Sequence, residues 1–422
     1  MHALLSELFP FNRSITGEGV KKTIARISKE IPLVTHSIAS GTSVFGWTVP
    51  KEWNVSSAKL FDPNGNIIAD YDDNNLFLMS YSQPVSKTLT LSELLEHIIS
   101  DPTRPNSIPY STSYYSEGWS FCLPYNIVKN LIPGNYRVEI DSSFTDGELN
   151  YAEAFIDNKA QKTVLVSSYI CHPSMANDSL SGVVLAIELF KRLKESNSLN
   201  YNYRFVFAPE TIGTICFLYN NRDKIKNQIE YGLVATCVGD AGKFTYKMSR
   251  KSDSKINKLV KNIFKKKGMP NQIIPFSPLG SDERQYCSPG FDLEVGVLTR
   301  SMYGTFPEYH TSDDNLSFVT DKALEESLRL YLEIINSYEA NRIYSRIDPY
   351  CEPQMSKYNL YRSIGGAGQD NLDDLIQQRM WVLNYSDSQT DLLTISDYSS
   401  FDILQLKKIA DELVMHNLIK EV

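Results

Sequence analysis

The sequence predicts an α/β protein with a mostly parallel sheet sandwiched by helices, an inserted β-rich domain and a C-terminal winged-helix domain. From about residue 162 onward, short β-prone runs alternate with amphipathic helices, which is typical of a parallel sheet covered on both faces. Residues 41–158 are instead rich in short β runs separated by turn residues. The end of the chain is predicted to be mostly helical. A chain of 422 residues is longer than a domain with a single hydrophobic core usually is, so we expect more than one domain.

The first segment, residues 1–40, is predicted to be a helical part of the main α/β domain. Val20, Ile24 and Ile27 recur at helical spacing after a glycine-containing break.

The inserted β-rich domain is predicted over residues 41–158. Its strongest local signal is the run Asp62-Pro63-Asn64-Gly65-Asn66, because Asn-Gly readily adopts the positive φ angles of a type I′ hairpin turn. The tryptophans of this segment are expected to lie in its core: Trp47, Trp53 and Trp119.

The catalytic α/β domain is predicted over residues 159–345. Its candidate strands are Thr163–Tyr169, Tyr203–Ala208, Gly232–Val238 and Leu293–Leu298. Its candidate helices are Ser179–Glu195, Ser254–Lys266 and Asp321–Ala340. Asp178 or Ser179 would suit the N-cap of the first of these helices.

The C-terminal domain, residues 346–422, begins with a linker-like stretch at Gly365–Gly368 and continues as three helices and a short strand. This order is typical of a winged helix. Residues 370–422 contain ten acidic and four basic side chains, whereas a DNA-reading module should carry a basic face. We therefore expect this domain to have a structural role or an interaction role, the latter with a protein partner or another copy of the chain.

The overall composition excludes several classes of partner. A net charge of -8 argues against a nucleic-acid partner. No apolar run approaches the roughly 18 residues of a membrane span, and the N-terminus lacks the basic region of a secretory signal. The six cysteines form no CxxC pair. These features predict a cytoplasmic protein with no membrane association.

Several side chains capable of metal chemistry follow the predicted strands. His172 and Asp178 flank the turn after the first strand, Glu210 follows the second and Asp240 follows the third. His310 lies in a polar loop before the last helix. Each could be a simple helix cap, but together they favour a site, because ligands bind outside the carboxyl ends of parallel strands. Imidazole and carboxylate are the usual ligands of catalytic zinc.

These motifs resemble a known family. His172, the segment Asn177–Gly182, Pro209–Gly213 and Tyr309–Thr311 are similar to the co-catalytic zinc aminopeptidases related to bacterial leucyl aminopeptidase. Glutaminyl cyclases share that fold. The N-terminal segment Pro10–Gly19 and the acidic C-terminus resemble a bacterial subfamily of aminopeptidase-like proteins with an inserted β-domain and a winged helix. This second resemblance covers nearly the whole chain.

The resemblance implies that His172, Asp178 and His310 bind metal, with Asp240 as a less certain ligand and Glu210 as the general base. The family usually has a second glutamate after the base, whereas this chain has Thr211. We therefore expect one zinc ion rather than two. Alternatively, Glu210 is a ligand and Glu283 the base.

Three residues are candidates for the substrate pocket. Glu283 could bind an N-terminal ammonium, Arg284 a carboxylate or an oxyanion, and Tyr309 an oxyanion. An exposed, capped loop remains an equal alternative for the Glu283–Arg284 segment.

The sequence therefore predicts a zinc-dependent hydrolase of an amide bond, foremost a metallopeptidase of the aminopeptidase type acting on a peptide or small amide. A mononuclear amidase, deacylase or acyltransferase acting on amino-acid or amino-sugar conjugates is the first alternative. An inert binding or scaffold protein is the second. The sequence contains no GxSxG motif, which argues against a serine hydrolase.

Overall fold

The computed structural model describes residues 1–196, 199–360 and 370–422. They form two compact units, Met1–Ser252 with Gln272–Arg329 and Asp253–Asn271 with Leu330–Val422. The predicted linker Gly365–Gly368 lies outside the described residues. Within the described ranges, no helix combines the length and the apolar character needed to cross a bilayer.

The first unit begins with helices α1 (His2–Leu8) and α2 (Glu18–Ile27) and strand β1 (Val34–Ala39). Close backbone contacts explain why glycine occupies two positions here, Gly17 just before α2 and Gly19 within it. A Cβ at Gly17, where φ is +95°, would lie 2.2 Å from the backbone oxygen of Trp53, and one at Gly19 would lie 1.7 Å from that of Asn12. A larger residue at either position would displace this N-terminal segment.

The β-rich segment is built on a four-stranded antiparallel sheet whose strands, in spatial order, are β5 (Ile67–Asp70), β4 (Glu52–Phe61), β9 (Asn135–Thr145) and β6 (Val85–Thr90). Its elements are β2 (Ser43–Val44), β3 (Trp47–Thr48), β4 (Glu52–Phe61), β5 (Ile67–Asp70), β6 (Val85–Thr90), α3 (Leu91–Leu95), β7 (Ile98–Ile99), β8 (Phe121–Cys122), α4 (Tyr125–Val128) and β9 (Asn135–Thr145). Trp53 and Trp119 lie in its core, as expected. Trp47 does not, because 39% of its surface is exposed.

The predicted hairpin joins β4 and β5, but its turn is not of type I′. Only Gly65 has a positive φ, whereas Asn64 does not, and type I′ requires positive φ at both central residues. The side chain of Asp62 instead accepts hydrogen bonds from the backbone N–H groups of Asn64 (2.9 Å) and Asn66 (2.8 Å).

The large sheet and its helices occupy the rest of the first unit. From residue 148 onward the chain forms β10 (Glu148–Ile156), β11 (Thr163–Tyr169), α5 (Gly182–Lys194), β12 (Asn202–Ala208), α6 (Ile212–Asn220), α7 (Arg222–Gln228), β13 (Ile229–Ala235), β14 (Phe244–Lys247), α8 (Lys255–Lys267), β15 (Asn271–Ile274), α9 (Glu283–Tyr286), β16 (Val295–Thr299) and α10 (Asp321–Ala340). Of these, α8 belongs to the second unit, and α10 contributes to both units.

The sheet has eight strands in the order β1–β10–β12–β11–β13–β16–β14–β15. Its four central strands, from β12 to β16, pair in parallel. The pairs β1–β10, β10–β12 and β14–β16 are antiparallel. Glu148–Ile156 fell within the predicted β-rich domain, but in the structure it is a strand of this large sheet. The carboxyl ends of the parallel strands meet at one edge.

Helix α5 begins later than the sequence predicted. It starts at Gly182, after a turn in which Asp178 has non-helical angles of φ -105° and ψ 91°. Neither Asp178 nor Ser179 caps the helix, because Ser181 occupies the N-cap position. A Cβ at Gly182 would lie 2.0 Å from the backbone oxygen of Ala235. The helix therefore packs closely on β13, and Asp178 is free for another contact.

The second unit contains the predicted helices and a three-stranded sheet. Its elements after α10 are β17 (Ile343–Arg346), α11 (Asp370–Tyr385), β18 (Asp387–Asp391), α12 (Leu392–Tyr398), α13 (Ile403–Met415) and β19 (Ile419–Glu421). The strand order is β18–β17–β19. Asn262 of α8 donates to Asp397 of α12 at 2.7 Å, which joins α8 to this helical module.

Candidate metal centre

Three side chains converge near the carboxyl ends of the parallel strands. His172, Asp178 and His310 each offer a ligand atom, and these atoms all lie within 4.8 Å of one another. The His310 Nε2 atom lies 3.1 Å from Oδ2 of Asp178. Both atoms are buried and lack a hydrogen-bond partner among the described residues. Buried polar atoms are normally bonded, so this pair fits a cation, and two imidazoles with a carboxylate suit catalytic zinc.

The protonation of the buried ligands also suits a cation. Burial lowers the pKa of His172 to about 4. Burial works to raise the pKa of Asp178, but the charge of His172 and the proximity of His310 outweigh it and hold this pKa at about 2. At neutral pH His172 is therefore a neutral imidazole and Asp178 an anion, which are the forms that bind metal.

Asp178 is held by contacts on two sides. The Tyr169 hydroxyl donates to Oδ1 of Asp178 and accepts a hydrogen bond from Thr236 at 2.8 Å. The Asp314 carboxylate accepts the backbone N–H groups of Asn177 (2.6 Å) and Asp178 (2.8 Å). These contacts leave Oδ2 of Asp178 as its free ligand atom. Such outer contacts orient the ligands of metal sites in general.

His310 is held by a loop from the β-rich segment. The backbone N–H of Tyr110 donates to the backbone oxygen of His310 at 2.8 Å, and Ser312 donates to Ile108 at 2.9 Å. The Tyr110 ring contacts both histidines, with centroid distances of 5.4 Å to His172 and 5.1 Å to His310. This loop therefore forms part of the wall of the site.

Glu210 lies beside the cluster, with Oε2 at 3.8 Å from Nε2 of His172. Its neighbour Asp282 is fully buried and accepts the backbone N–H of Thr211 at 2.7 Å. Burial, followed by the charges of Asp282 and Asp178, raises the pKa of Glu210 well above its usual range. Burial also raises the pKa of Asp282 to about 7. A raised pKa makes the ionised form of Glu210 a stronger proton acceptor.

Asp240 lies outside the cluster. Its Oδ1 accepts hydrogen bonds from Gly242 N (2.6 Å) and the Ser301 hydroxyl (2.6 Å). Its Oδ2 accepts from the Asn177 side chain (2.9 Å) and Ser301 N (3.2 Å). Both carboxylate oxygens are thus engaged by protein donors, and the structure does not bring Asp240 to the other predicted ligands.

The other three predicted site residues differ in their surroundings. Glu283 is buried and pairs with Lys247 at 2.5 Å, so this carboxylate does not line the pocket. Tyr309 stacks on His310 with ring centroids 3.9 Å apart. Burial raises the pKa of Tyr309 well above its usual range, which keeps its hydroxyl a donor. Arg284 donates to the Thr211 hydroxyl at 3.0 Å.

A cavity of about 340 Å³ opens beside His172, His310 and Glu210. Tyr110, Arg284 and the exposed Trp47 also line it. Its size is that of a small-molecule pocket.

The comparisons with known proteins agree with this architecture. The family model described as a domain of unknown function, DUF4910, matches residues 2–341, and a winged helix-turn-helix model matches residues 342–421. A Clostridium acetobutylicum protein, provisionally named a polysaccharide biosynthesis protein with aminopeptidase-like domain, is 46% identical over 422 residues, which is 100% of this chain and 96% of the relative.

The chain belongs to this aminopeptidase-like DUF4910 family.

Solved structures confirm the predicted fold class of this family member. The crystal structure of a C. acetobutylicum protein provisionally described as a peptidase shares 45% identity, with a TM-score of 0.93 over 100% of this chain and 96% of the other. A zinc aminopeptidase from Bacillus subtilis shares 13% identity, with a TM-score of 0.58 over 80% of this chain and 93% of the other. The second similarity shows the common fold.

Sequence reasoning missed three residues that support the site of this family member. Tyr110 and Asp314 contact the predicted ligands as described above, and their signals were weak: a tyrosine-rich loop and a second aspartate after His310. Arg13 is the third. It is fully buried, and its guanidinium donates to the backbone oxygens of His172 (2.9 and 2.6 Å) and Leu8. It lies in the Pro10–Gly19 segment that carried the resemblance.

Replacing Arg13 with methionine is expected to destabilise the protein by about 2 kcal/mol. The buried His172 carbonyl would lose its donor, which costs roughly 1–3 kcal/mol, whereas the Leu8 carbonyl would keep the backbone N–H of Phe11 at 3.2 Å. Part of this cost is offset, because burial lowers the pKa of Arg13 to about 9 and the variant buries no cation. Urea unfolding would measure the change.

Arg192→Met serves as the control for this prediction, since Arg192 is exposed on α5 and pairs with Glu188 at the surface. We expect it to unfold at the wild-type urea concentration. A wild-type midpoint for Arg13→Met would contradict the role of Arg13 in holding the His172 backbone.

Proposed function

We propose that the protein is a zinc-dependent hydrolase of an amide bond. The observation that carries this proposal is the His172–Asp178–His310 cluster beside Glu210, in which two buried ligand atoms have no hydrogen-bond partner among the residues described. The aminopeptidase-like domain named for the C. acetobutylicum relative supports a peptidase-type activity. The association of that relative with polysaccharide biosynthesis is compatible with an amino-sugar amide.

The cluster residues would hold the ion through Nε2 of His310, Oδ2 of Asp178 and the His172 imidazole. Bound zinc supplies polarisation of the substrate carbonyl and a water of lowered pKa. Glu210 would accept the proton of the attacking water and deliver it to the leaving amine. Tyr309, whose hydroxyl stays protonated, could donate to the developing oxyanion.

We propose one ion rather than two. Thr211 stands where the resemblance predicts a second acidic ligand, and a hydroxyl is a poor zinc ligand. This hydroxyl also accepts a hydrogen bond from the Arg284 guanidinium. A permanent cation at this position disfavours a second metal ion nearby.

One observation favours a deacylase or amidase as the second candidate. An aminopeptidase must accommodate an N-terminal ammonium, and Glu283 was the residue predicted to bind it. Glu283 is instead paired with Lys247. Among the described residues that line the cavity, Glu210 is the only carboxylate, and it is assigned to the base role. An acylated substrate nitrogen needs no such partner.

The purified full-length protein is expected to contain about one zinc per chain, in keeping with a three-ligand site. A panel of aminoacyl amides and acylated amino acids, assayed with and without chelator, would test the reaction. We expect chelation to lower turnover by about 100-fold or more, because a metal contributes several kcal/mol to the transition state, and added zinc to restore it.

The outcomes separate the candidate functions. Cleavage of aminoacyl amides supports an aminopeptidase, and cleavage of acylated substrates a deacylase. Turnover that survives complete metal removal would contradict the proposal. Stoichiometric zinc without turnover on any member of the panel would favour an inert scaffold.

A further inference from the structure

The Arg284 guanidinium is a cation of the cavity wall that forms no direct ion pair among the described residues, although its charge partly offsets the rise in the pKa of Glu210 and of Asp282. It lies at the start of the short helix α9 and lines the cavity together with Glu210 and Thr211. Its Nη2 group donates to the Thr211 hydroxyl at 3.0 Å, and its Nε atom is buried without a hydrogen-bond partner in the part of the chain that the structure describes. No carboxylate of the described chain forms an ion pair with it.

The nearby acidic groups are occupied by other donors. Glu283 pairs with Lys247, which also donates to the Leu279 backbone oxygen. Asp282 accepts the backbone N–H of Thr211. Arg284 thus keeps most of its five N–H donors available for a group that enters the cavity.

We infer that Arg284 binds a carboxylate of the substrate, so that the substrate is an amide of the acylamino-acid class. This inference rests on the proposed amide hydrolysis and specifies its substrate. A guanidinium matches a planar carboxylate through parallel hydrogen bonds. One cation neutralises a monoanion, whereas a dianionic phosphate would leave an unbalanced charge beside Glu210.

The rest of the wall indicates what accompanies the carboxylate. Trp47 and Tyr115 are 39% and 55% exposed, contact each other edge to face at 5.4 Å, and both line the cavity. Large exposed aromatic rings beside a pocket provide an apolar surface for a ligand. With about 340 Å³ available, the cavity accommodates one acylated residue with an apolar or aromatic side chain.

Two small probes test the carboxylate site without hydrolysis. Hydrocinnamate carries a phenyl group and a carboxylate, and benzylacetone replaces the carboxylate with a methyl ketone. Each would be titrated calorimetrically into the full-length chain, before and after chelator treatment. In both cases we expect hydrocinnamate to bind at least about tenfold more tightly than benzylacetone. This difference in affinity is the size expected of one charge-assisted hydrogen-bonded contact.

Variants identify the cation responsible. In chelator-treated protein, Arg284→Met should bind the two probes equally, and Arg284→Lys should keep part of the preference because it retains a point charge. The surface control Arg192→Met should behave as wild type, and circular dichroism would verify folding. Equal affinities in wild type, undetectable hydrocinnamate binding, or a preference that survives in Arg284→Met would overturn the inference. A chain that binds hydrocinnamate but cleaves no amide would contradict the proposed function alone.

Discussion

Glu210→Gln is expected to lower the rate of amide hydrolysis by about 100- to 10,000-fold, the usual contribution of a general base, without loss of bound zinc. Glutamine keeps the shape of the side chain but cannot accept the proton. The position of Glu210 beside His172, at 3.8 Å between Oε2 and Nε2, places it next to the proposed metal rather than among its three ligands. Measurements of kcat/KM and of zinc content on the same preparation would separate the two effects.

Glu188→Gln is a matched control for this variant. Glu188 is a carboxylate of α5 that pairs with Arg192 at 2.8 Å, and it does not line the cavity. We expect the control to retain both wild-type turnover and wild-type zinc content. If Glu210→Gln retained wild-type turnover, Glu210 would not be the base. If it lost zinc instead, Glu210 would be a ligand, which is the alternative that the sequence left open.

The fold could be predicted to the extent that local patterns determine it. Buried apolar runs located the central strands, but their ends were less certain. The strand predicted over Gly232–Val238 is observed at Ile229–Ala235. Thr236, Cys237 and Val238 are buried and continue the apolar pattern, yet Cys237 has a φ of +50°, which ends the strand. Buried residues that lie just beyond the end of a strand therefore give the same apolar sequence pattern as residues within it.

The start of α5 shows a second limit of sequence reasoning. Asp178 and Ser179 are common N-cap residues, so the pattern favoured a cap. In the structure Asp178 instead contacts Tyr169 and His310, neither of which adjoins it in the sequence. The choice between a cap and a ligand therefore depends on tertiary contacts that a local pattern does not contain.

The metal cluster could be anticipated because histidines are few and two of them lie in polar loops after apolar runs. The residues that support the cluster could not be anticipated, because they contact it from positions far away in the sequence. Arg13 and His172 are 159 residues apart, and Asn177 and Asp314 are 137 apart. Glu283 shows the same limit. Its pairing with Lys247, 36 residues away, could not be read from the sequence, and it removes Glu283 from the substrate pocket in which we expected it.

His310→Ala is expected to weaken zinc binding by more than about 100-fold. Loss of an outer-shell partner typically costs 10- to 100-fold in metal affinity, so loss of a direct ligand should exceed that range. His310 is partly exposed, with 35% of its side chain accessible, which limits the cost of the substitution to folding. Competition with a zinc chelator of known affinity would measure the change.

Asp240→Asn provides the opposing case, because the resemblance implied Asp240 as a ligand. Both oxygens of Asp240 accept hydrogen bonds from Asn177, Gly242 and Ser301. The variant should therefore keep zinc affinity near wild type, although replacing an acceptor oxygen with an amide N–H should lower stability.

His36→Ala, at a histidine that pairs with Glu153 on the large sheet, controls for loss of an imidazole elsewhere. Equal zinc affinity in His310→Ala and wild type would contradict the three-ligand site, and loss of zinc in Asp240→Asn would restore Asp240 as a ligand.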